Sequence, residues 1–175
     1  MTPTIIPFPD GTHWLSDAPR PKRLCAVDDT LTADAAFRLA NEGTALLWQG
    51  DFHNARQLLQ AMGRRLEHRA LKVGAGKTAS NSTLHADAFH RYRMGQAQKA
   101  RTLGLVLIPV EAGYCIPLRR APDVSEACKQ ALGPFPAAAG TALLPLRELQ
   151  GLIGAFGWRR KGVPVAALNE SVHPH

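Results

Sequence analysis

The stretch from Asp51 to Arg101, DFHNARQLLQAMGRRLEHRALKVGAGKTASNSTLHADAFHRYRMGQAQKAR, constrains the fold more than any other part of the chain. It carries two amphipathic helical patterns around a loop rich in Gly, Ser, Thr and Asn, so the molecule must be helix-rich. In the first pattern Asp51 can act as N-cap, and Leu58, Leu59, Met62 and Leu66 share one face. The second is predicted from about His85 to Leu103, with Phe89, Ala97 and Ala100 inward. Between them a mobile loop is expected over Val73 to Thr83, with Gly74 and Gly76 as helix breakers. From Arg56 onward the stretch holds Arg56, Arg64, Arg65, Arg69, Lys72, Lys77, Arg91, Arg93, Lys99 and Arg101 against only Glu67 and Asp87. Most of the excess positive charge of the chain therefore lies here, and a polyanionic partner should meet the protein here.

The flanking sequence adds a small sheet. Pro3, Pro7, Pro9, Pro19 and Pro21 forbid a long helix in residues 1–31, which are expected to form an extended arm over the domain. Thr32 or Asp34 can cap a short helix through Ala36 and Leu39 that ends near Gly43. Thr44 to Gly50 (TALLWQG) is an apolar run bounded by glycines, the pattern of a buried strand near 44–49. LGLVLIPV and YCIPL, separated by Glu111-Ala112-Gly113, predict a β-hairpin near 105–118. A short helix is expected from Asp123 to Leu132, closed by Gly133, and GPFPAAAGTALLP is expected as a linker. Leu146 to Trp158 predicts a last helix with Leu146, Leu149, Leu152, Ile153 and Phe156 inward, and Arg159, Arg160 and Lys161 suit its C-terminal dipole. The expected class is α+β: one helix-rich domain over 32–165 with a small sheet, preceded by the arm and followed by a tail over 166–175.

With 175 residues and 45% hydrophobic content the chain suits one globular domain. No apolar run approaches the roughly 20 residues that span a bilayer. The N-terminus lacks the basic lead and apolar core of a secretory signal, so no membrane partner and a cytoplasmic location are expected. Cys25, Cys115 and Cys128 are odd in number and widely spaced, which suits reduced thiols better than a disulfide framework or a zinc site.

Several patterns imitate catalytic motifs. Gly74 to Thr78 (GAGKT) resembles the end of a phosphate-binding loop, but Leu71 stands where the first glycine belongs and a helix, not a strand, precedes it. Gly151, Gly154 and Gly157 lie inside an apolar helical segment, where small residues let another element pack closely. The histidines are scattered; His85 and His90, five apart, do not share a helical face. Asp28 and Asp29 read as cap or turn residues. No nucleophile elbow, activated cysteine or carboxylate cluster for a hard cation is visible, so no catalytic or metal residue is assigned.

The basic stretch is either a solvated face or a polyanion-binding surface. Two details favour the second. Arg64, Arg65 and Arg69 lead into the loop that carries Lys72 and Lys77, and Arg91, Tyr92 and Arg93 follow it. Arginine forks suit phosphates, and a neighbouring Tyr or His can stack on an unpaired base. The candidate nucleic-acid-binding set is Arg64, Arg65, Arg69, Lys72, Lys77, Arg91, Arg93, Lys99 and Arg101.

At WQGDFHNARQLLQAMGRR, FHRYRMGQAQKARTLGLVLIPVEAGYCIPLRRAPDV and LRELQGLIGAFGWRRKGVPV, the chain resembles the N-terminal region of bacterial class I S-adenosylmethionine-dependent methyltransferases. These form a two-domain group close to the "small" methyltransferase type, and the wider group modifies ribosomal RNA or ribosomal proteins. The resemblance covers about Thr44 to His175. It implies an accessory, substrate-recognition domain, with a Rossmann-like catalytic domain in cis or trans and RNA or a ribosomal component as partner. S-adenosylmethionine is the cofactor of the full-length family. The chain ends at Val172-His173-Pro174-His175, part-way through a phrase that in the family reads HPHYGVFSP and leads into the catalytic domain. The cofactor loop and the [ND]-P-P-[YF] motif are expected beyond it, so this chain alone is expected to bind no cofactor. The alternative is a non-catalytic protein-interaction module with no nucleic-acid role.

Overall fold

Three short runs in the sequence are almost continuously apolar, and each becomes a strand buried on both faces. The computed structural model describes the backbone of residues 4–75, 84–136, 140–165, 167 and 170–173, and the side chains of the same set except 70–75 and 84–88. Strands β1 (Ile5–Pro7), β2 (His13–Trp14) and β3 (Arg23–Val27) precede helix α1 (Ala33–Asn41), strand β4 (Thr44–Trp48) and helices α2 (Phe52–Ala75) and α3 (Leu84–Leu103). Strand β5 (Val106–Glu111), helix α4 (Ser125–Leu132), strand β6 (Thr141–Pro145) and helix α5 (Leu146–Lys161) follow, and β7 (Val163–Val165) and β8 (Glu170–Val172) close the order. The fold is α+β, a single domain.

The main sheet runs β1-β3-β4-β5-β6-β2. β3, β4 and β5 are parallel, whereas β1 and β6 run antiparallel to their inner neighbours. On one face Cys25, Val27, Leu46, Trp48, Val106, Ile108, Val110 and Leu144 pack against the helices. On the other, Leu24, Ala45, Leu107 and Leu143 pack against Phe8 and Trp14 of the N-terminal segment. That segment crosses this face and supplies strands at both edges of the sheet. β1 pairs with β3, and β2 with β6. β3 is an inner strand, with Leu24 and Cys25 buried.

This arrangement forces the sheet to curl. Five inter-strand steps of about 4.8 Å would separate β1 from β2 by about 24 Å in a flat sheet. The chain from Pro7 to His13 reaches at most about 22 Å fully extended, and a turn at Asp10–Gly11 shortens it further. Phe8 and Trp14 meet edge to face at 6.1 Å, and the Arg20 guanidinium lies 4.2 Å from the Phe8 ring centre.

Two expected loops and strands exchange places. No hairpin forms near 105–118: after β5 the chain makes a 3-10 turn at Ala112–Tyr114 and returns only one bridge, Glu111 to Cys115. Both hydrogen-bonding edges of β5 are already taken, by β4 and β6, so YCIPL has no edge to join. The partner strand comes instead from the expected linker, where TALLP is β6. In the expected tail, β8 pairs with β7 as a small separate sheet.

The helices match their signals more closely. The Thr32 hydroxyl caps α1 at 3.3 Å from the Ala35 amide, and Asp51 caps α2 through the His53 amide at 2.8 Å. Ser125 opens α4, its amide and hydroxyl both bonded to Asp123. α2 runs through Gly74 to Ala75 rather than ending at Val73; the remainder of the expected loop, from Gly76 to Thr83, lies outside the described residues. α5 buries Leu146 and Leu149 but leaves Leu152, Ile153 and Phe156 half-buried.

Leu46 is fully buried, and Leu46→Ala is expected to lower stability by about 2–5 kcal/mol through lost burial and the cavity left behind. Ile6 is exposed on the edge strand, and Ile6→Ala should change stability by less than about 0.5 kcal/mol. Denaturant unfolding of both variants checks the contrast.

Candidate nucleic-acid interface

The basic helices outreach the sheet they belong to. With 24 and 20 residues, α2 and α3 are about 36 and 30 Å long, whereas a six-residue strand spans about 20 Å. α2 anchors through Phe52, Ala55, Leu58, Leu59 and Met62, all in its first half. Among the described side chains of α3, the buried ones are Thr102 and Leu103 in its last turn. Leu103 faces Gly63, and the Lys99 ammonium meets the Glu67 carboxylate at 2.5 Å, the register of an antiparallel pair. From Phe89 to Arg101 every side chain is exposed except that of Lys99, which is half-buried. Phe89, Ala97 and Ala100, expected inward, therefore face solvent: no described element covers them.

The structure divides the predicted cations rather than gathering them. Arg65 donates to Asp34 of α1 at 2.9 Å, and the Arg69 guanidinium lies 5.4 Å from the Phe37 ring of α1. Lys99 is engaged by Glu67 and holds that carboxyl below its usual range. These three pin helices together. Arg64 is exposed and lines a shallow groove of about 370 Å³ with Gln60, Glu67, Arg147 and Gln150, over a floor of Leu59 and Leu103. Arg91, Arg93 and Arg101 are exposed and make no ion pair among the described residues. At 100° per residue Arg91 and Arg93 lie about 200° apart around the helix, so the charge surrounds α3 instead of forming one stripe. Lys72 sits near the end of α2 with its side chain outside the described residues, and Lys77 lies outside them altogether.

Sequence reasoning did not find Arg147 or Gln150. A single cation in the first turn of α5 carries no local signal, and only packing of α5 beside α2 brings it to Arg64. It also placed Phe89 inward, where the structure leaves it 57% exposed beside Tyr92 at 64% and Met94 at 73%. The Arg93 guanidinium lies 5.8 Å from the Phe89 ring centre.

A second polar cluster occupies the carboxyl ends of parallel strands β3 and β4, where open α/β sheets commonly bind ligands. Here the chemistry is turned inward. Asp29 accepts from the Asp51 amide and the Asn54 side chain, both at 3.0 Å. Asp51, buried, accepts from the Arg120 Nε at 2.6 Å and caps α2. Asp28 accepts from the Thr30 amide and hydroxyl in a tight turn. The Arg120 hydrogen bond holds the Asp51 carboxyl below the usual range, against the opposing effect of burial. Gly50 is obligatory beside it, since a Cβ there would sit 2.6 Å from Asp29 Oδ1 and 2.9 Å from the Asp29 backbone nitrogen.

Cys25 and Cys128 are buried, and burial pushes the Cys128 thiol up to about 11, the profile of an inert thiol. Among the described residues no group of three His, Cys, Asp or Glu side chains could hold a metal ion, and no helix is long and apolar enough to cross a membrane.

No protein-family model, curated protein or solved structure matches the chain.

Arg120→Ala is expected to destabilise the fold most near neutral pH. A carboxyl with a lowered folded-state value contributes stability above its unfolded value and loses it as pH falls through the folded one. The wild-type advantage over the variant should therefore shrink below about pH 4, read from denaturant unfolding at several pH values. Gly50→Ala, which pushes Asp29 aside, should cost about 1–3 kcal/mol in the same assay.

Proposed function

We propose that this chain is the substrate-recognition domain of an S-adenosylmethionine-dependent methyltransferase. On this reading it holds RNA, or a ribosomal component containing RNA, beside a catalytic domain that acts in cis or in trans. The observation that carries the RNA part is the projecting helix α3, whose Arg91, Arg93 and Arg101 are exposed and form no ion pair among the described residues. Exposed arginines on a projecting rod suit a phosphate backbone, which can pass around it. Support for the methyltransferase part is the segment resemblance over Thr44 to His175. The cofactor belongs to the catalytic domain, and this chain contributes affinity and placement of the substrate.

A second reading, a protein-interaction module, is favoured by α5. A Cβ added at Gly151, Gly154 or Gly157 would meet nothing within 4 Å. The glycines therefore do not serve the close packing expected of them, and Trp158 beside them is 62% exposed. That surface is suited to another protein, the catalytic domain included.

Titration of the full chain with labelled structured RNA at low and moderate salt separates the readings. Binding should weaken steeply with salt, and the triple variant Arg91→Ala, Arg93→Ala, Arg101→Ala should reduce the log–log salt slope by about 2 to 3. Arg65→Ala, whose side chain is held by Asp34, should leave affinity within about twofold of wild type. Absence of RNA binding at low salt would favour the interaction module, and calorimetric binding of S-adenosylmethionine by the chain alone would overturn the recognition-domain assignment.

A further inference from the structure

Helix α3 carries more than charge. Phe89, Tyr92 and Arg93 occupy positions i, i+3 and i+4 and share one face. Gln96 and Ala100 continue that face for about 16 Å along the helix. Both rings stand more than half exposed, and the Arg93 guanidinium lies over the Phe89 ring, 5.8 Å from its centre. No helix or strand among the described residues covers the face; Arg93 lies on it and Arg101 beside it, while Arg91 lies on the opposite side of the helix. An exposed helical face that carries two aromatic rings and an arginine suits an occupant that is both flat and anionic.

We infer that this face binds unpaired nucleobases: Phe89 and Tyr92 stack on successive bases of a single-stranded RNA segment, while Arg93 and Arg101 hold neighbouring phosphates. The inference rests on the RNA-recognition reading above and specifies its substrate class. Unpaired RNA is favoured over duplex on geometry. The major groove of an A-form helix is too deep and narrow for side chains to read, and bases in a duplex already stack on each other, so neither ring would find a partner there. Splayed bases offer their faces to aromatic rings irrespective of sequence, and arginine stacks on them as well. Preference for single strands, with little preference for sequence, follows.

The full chain and its Phe89→Ala/Tyr92→Ala variant are titrated with two labelled RNAs of about 12 phosphates each, one unstructured and one a perfect duplex. Wild type should prefer the unstructured RNA. The double variant should bind it at least about fivefold more weakly while its duplex affinity changes by less than about twofold. Phe89→Tyr/Tyr92→Phe, which keeps both rings, should restore the preference, and circular dichroism should be the same for all three proteins. Equal affinity of wild type for both RNAs, or an unchanged affinity of the double variant for the unstructured RNA, overturns the inference and leaves the electrostatic RNA reading standing. Wild-type binding to neither RNA overturns both. Loss of self-association or of binding to a protein partner, with RNA affinity intact, assigns the face to protein instead.

Discussion

Strands β4 and β5 carry apolar side chains on both sides, and neither side of the sheet is stable until both are covered. Every helix that touches the central strands lies on the face of Leu46 and Ile108, so the opposite face depends on the N-terminal segment. Phe8 and Trp14 are its cover, and β1 and β2 tie that cover to opposite edges of the sheet. This single strap sets the curl of the sheet and protects edges that would otherwise invite another strand. It also leaves the helical face free to project α2 and α3 outward. The candidate interface therefore depends on packing at the far side of the molecule from it.

Much of the helical architecture was legible in the sequence because caps and heptad-like spacing are local. Thr32, Asp51 and Gly133 marked their ends correctly, and Leu58, Leu59 and Met62 marked a buried face. Strand assignment failed where partners decide. The same tetrapeptide, Thr-Ala-Leu-Leu, occurs at Thr44–Leu47 and Thr141–Leu144, and both copies are strands. The first stood between glycines and read as a strand; the second followed Gly-Pro-Phe-Pro and a run of alanines and read as linker. YCIPL has ample strand propensity, yet β5 had no free edge to offer it. The two copies even point opposite ways, since Leu46 faces the helices and Leu143 the strap.

The candidate site was legible as a charge excess and not as a geometry. Spacing put Arg64, Arg65 and Arg69 in one cluster, but helix packing sends Arg65 and Arg69 to α1 and Arg64 to α5. Counting cations overstates a binding surface when some of them hold helices together. Phe89 was misplaced for a complementary reason. Its spacing to Ala97 and Ala100 is that of a core face, but spacing cannot report that the sheet ends before the helix does. The acidic cluster at the strand ends shows the same limit in reverse: Asp28, Asp29 and Asp51 occupy a place where ligands often bind, and their hydrogen bonds show them serving as caps and turns.

The strap also sets an order of events during synthesis. His13 and Trp14 reach their parallel partners only in β6, and Ser16 bonds Glu148 across a separation of 132 residues. At typical elongation speeds of about 5–20 residues per second, the first strap residues wait roughly 7–26 s for those partners to be made. Throughout that interval the back of β3, β4 and β5 has only part of its cover. A nascent chain of this design holds a sheet with an uncovered apolar strip until β6 arrives.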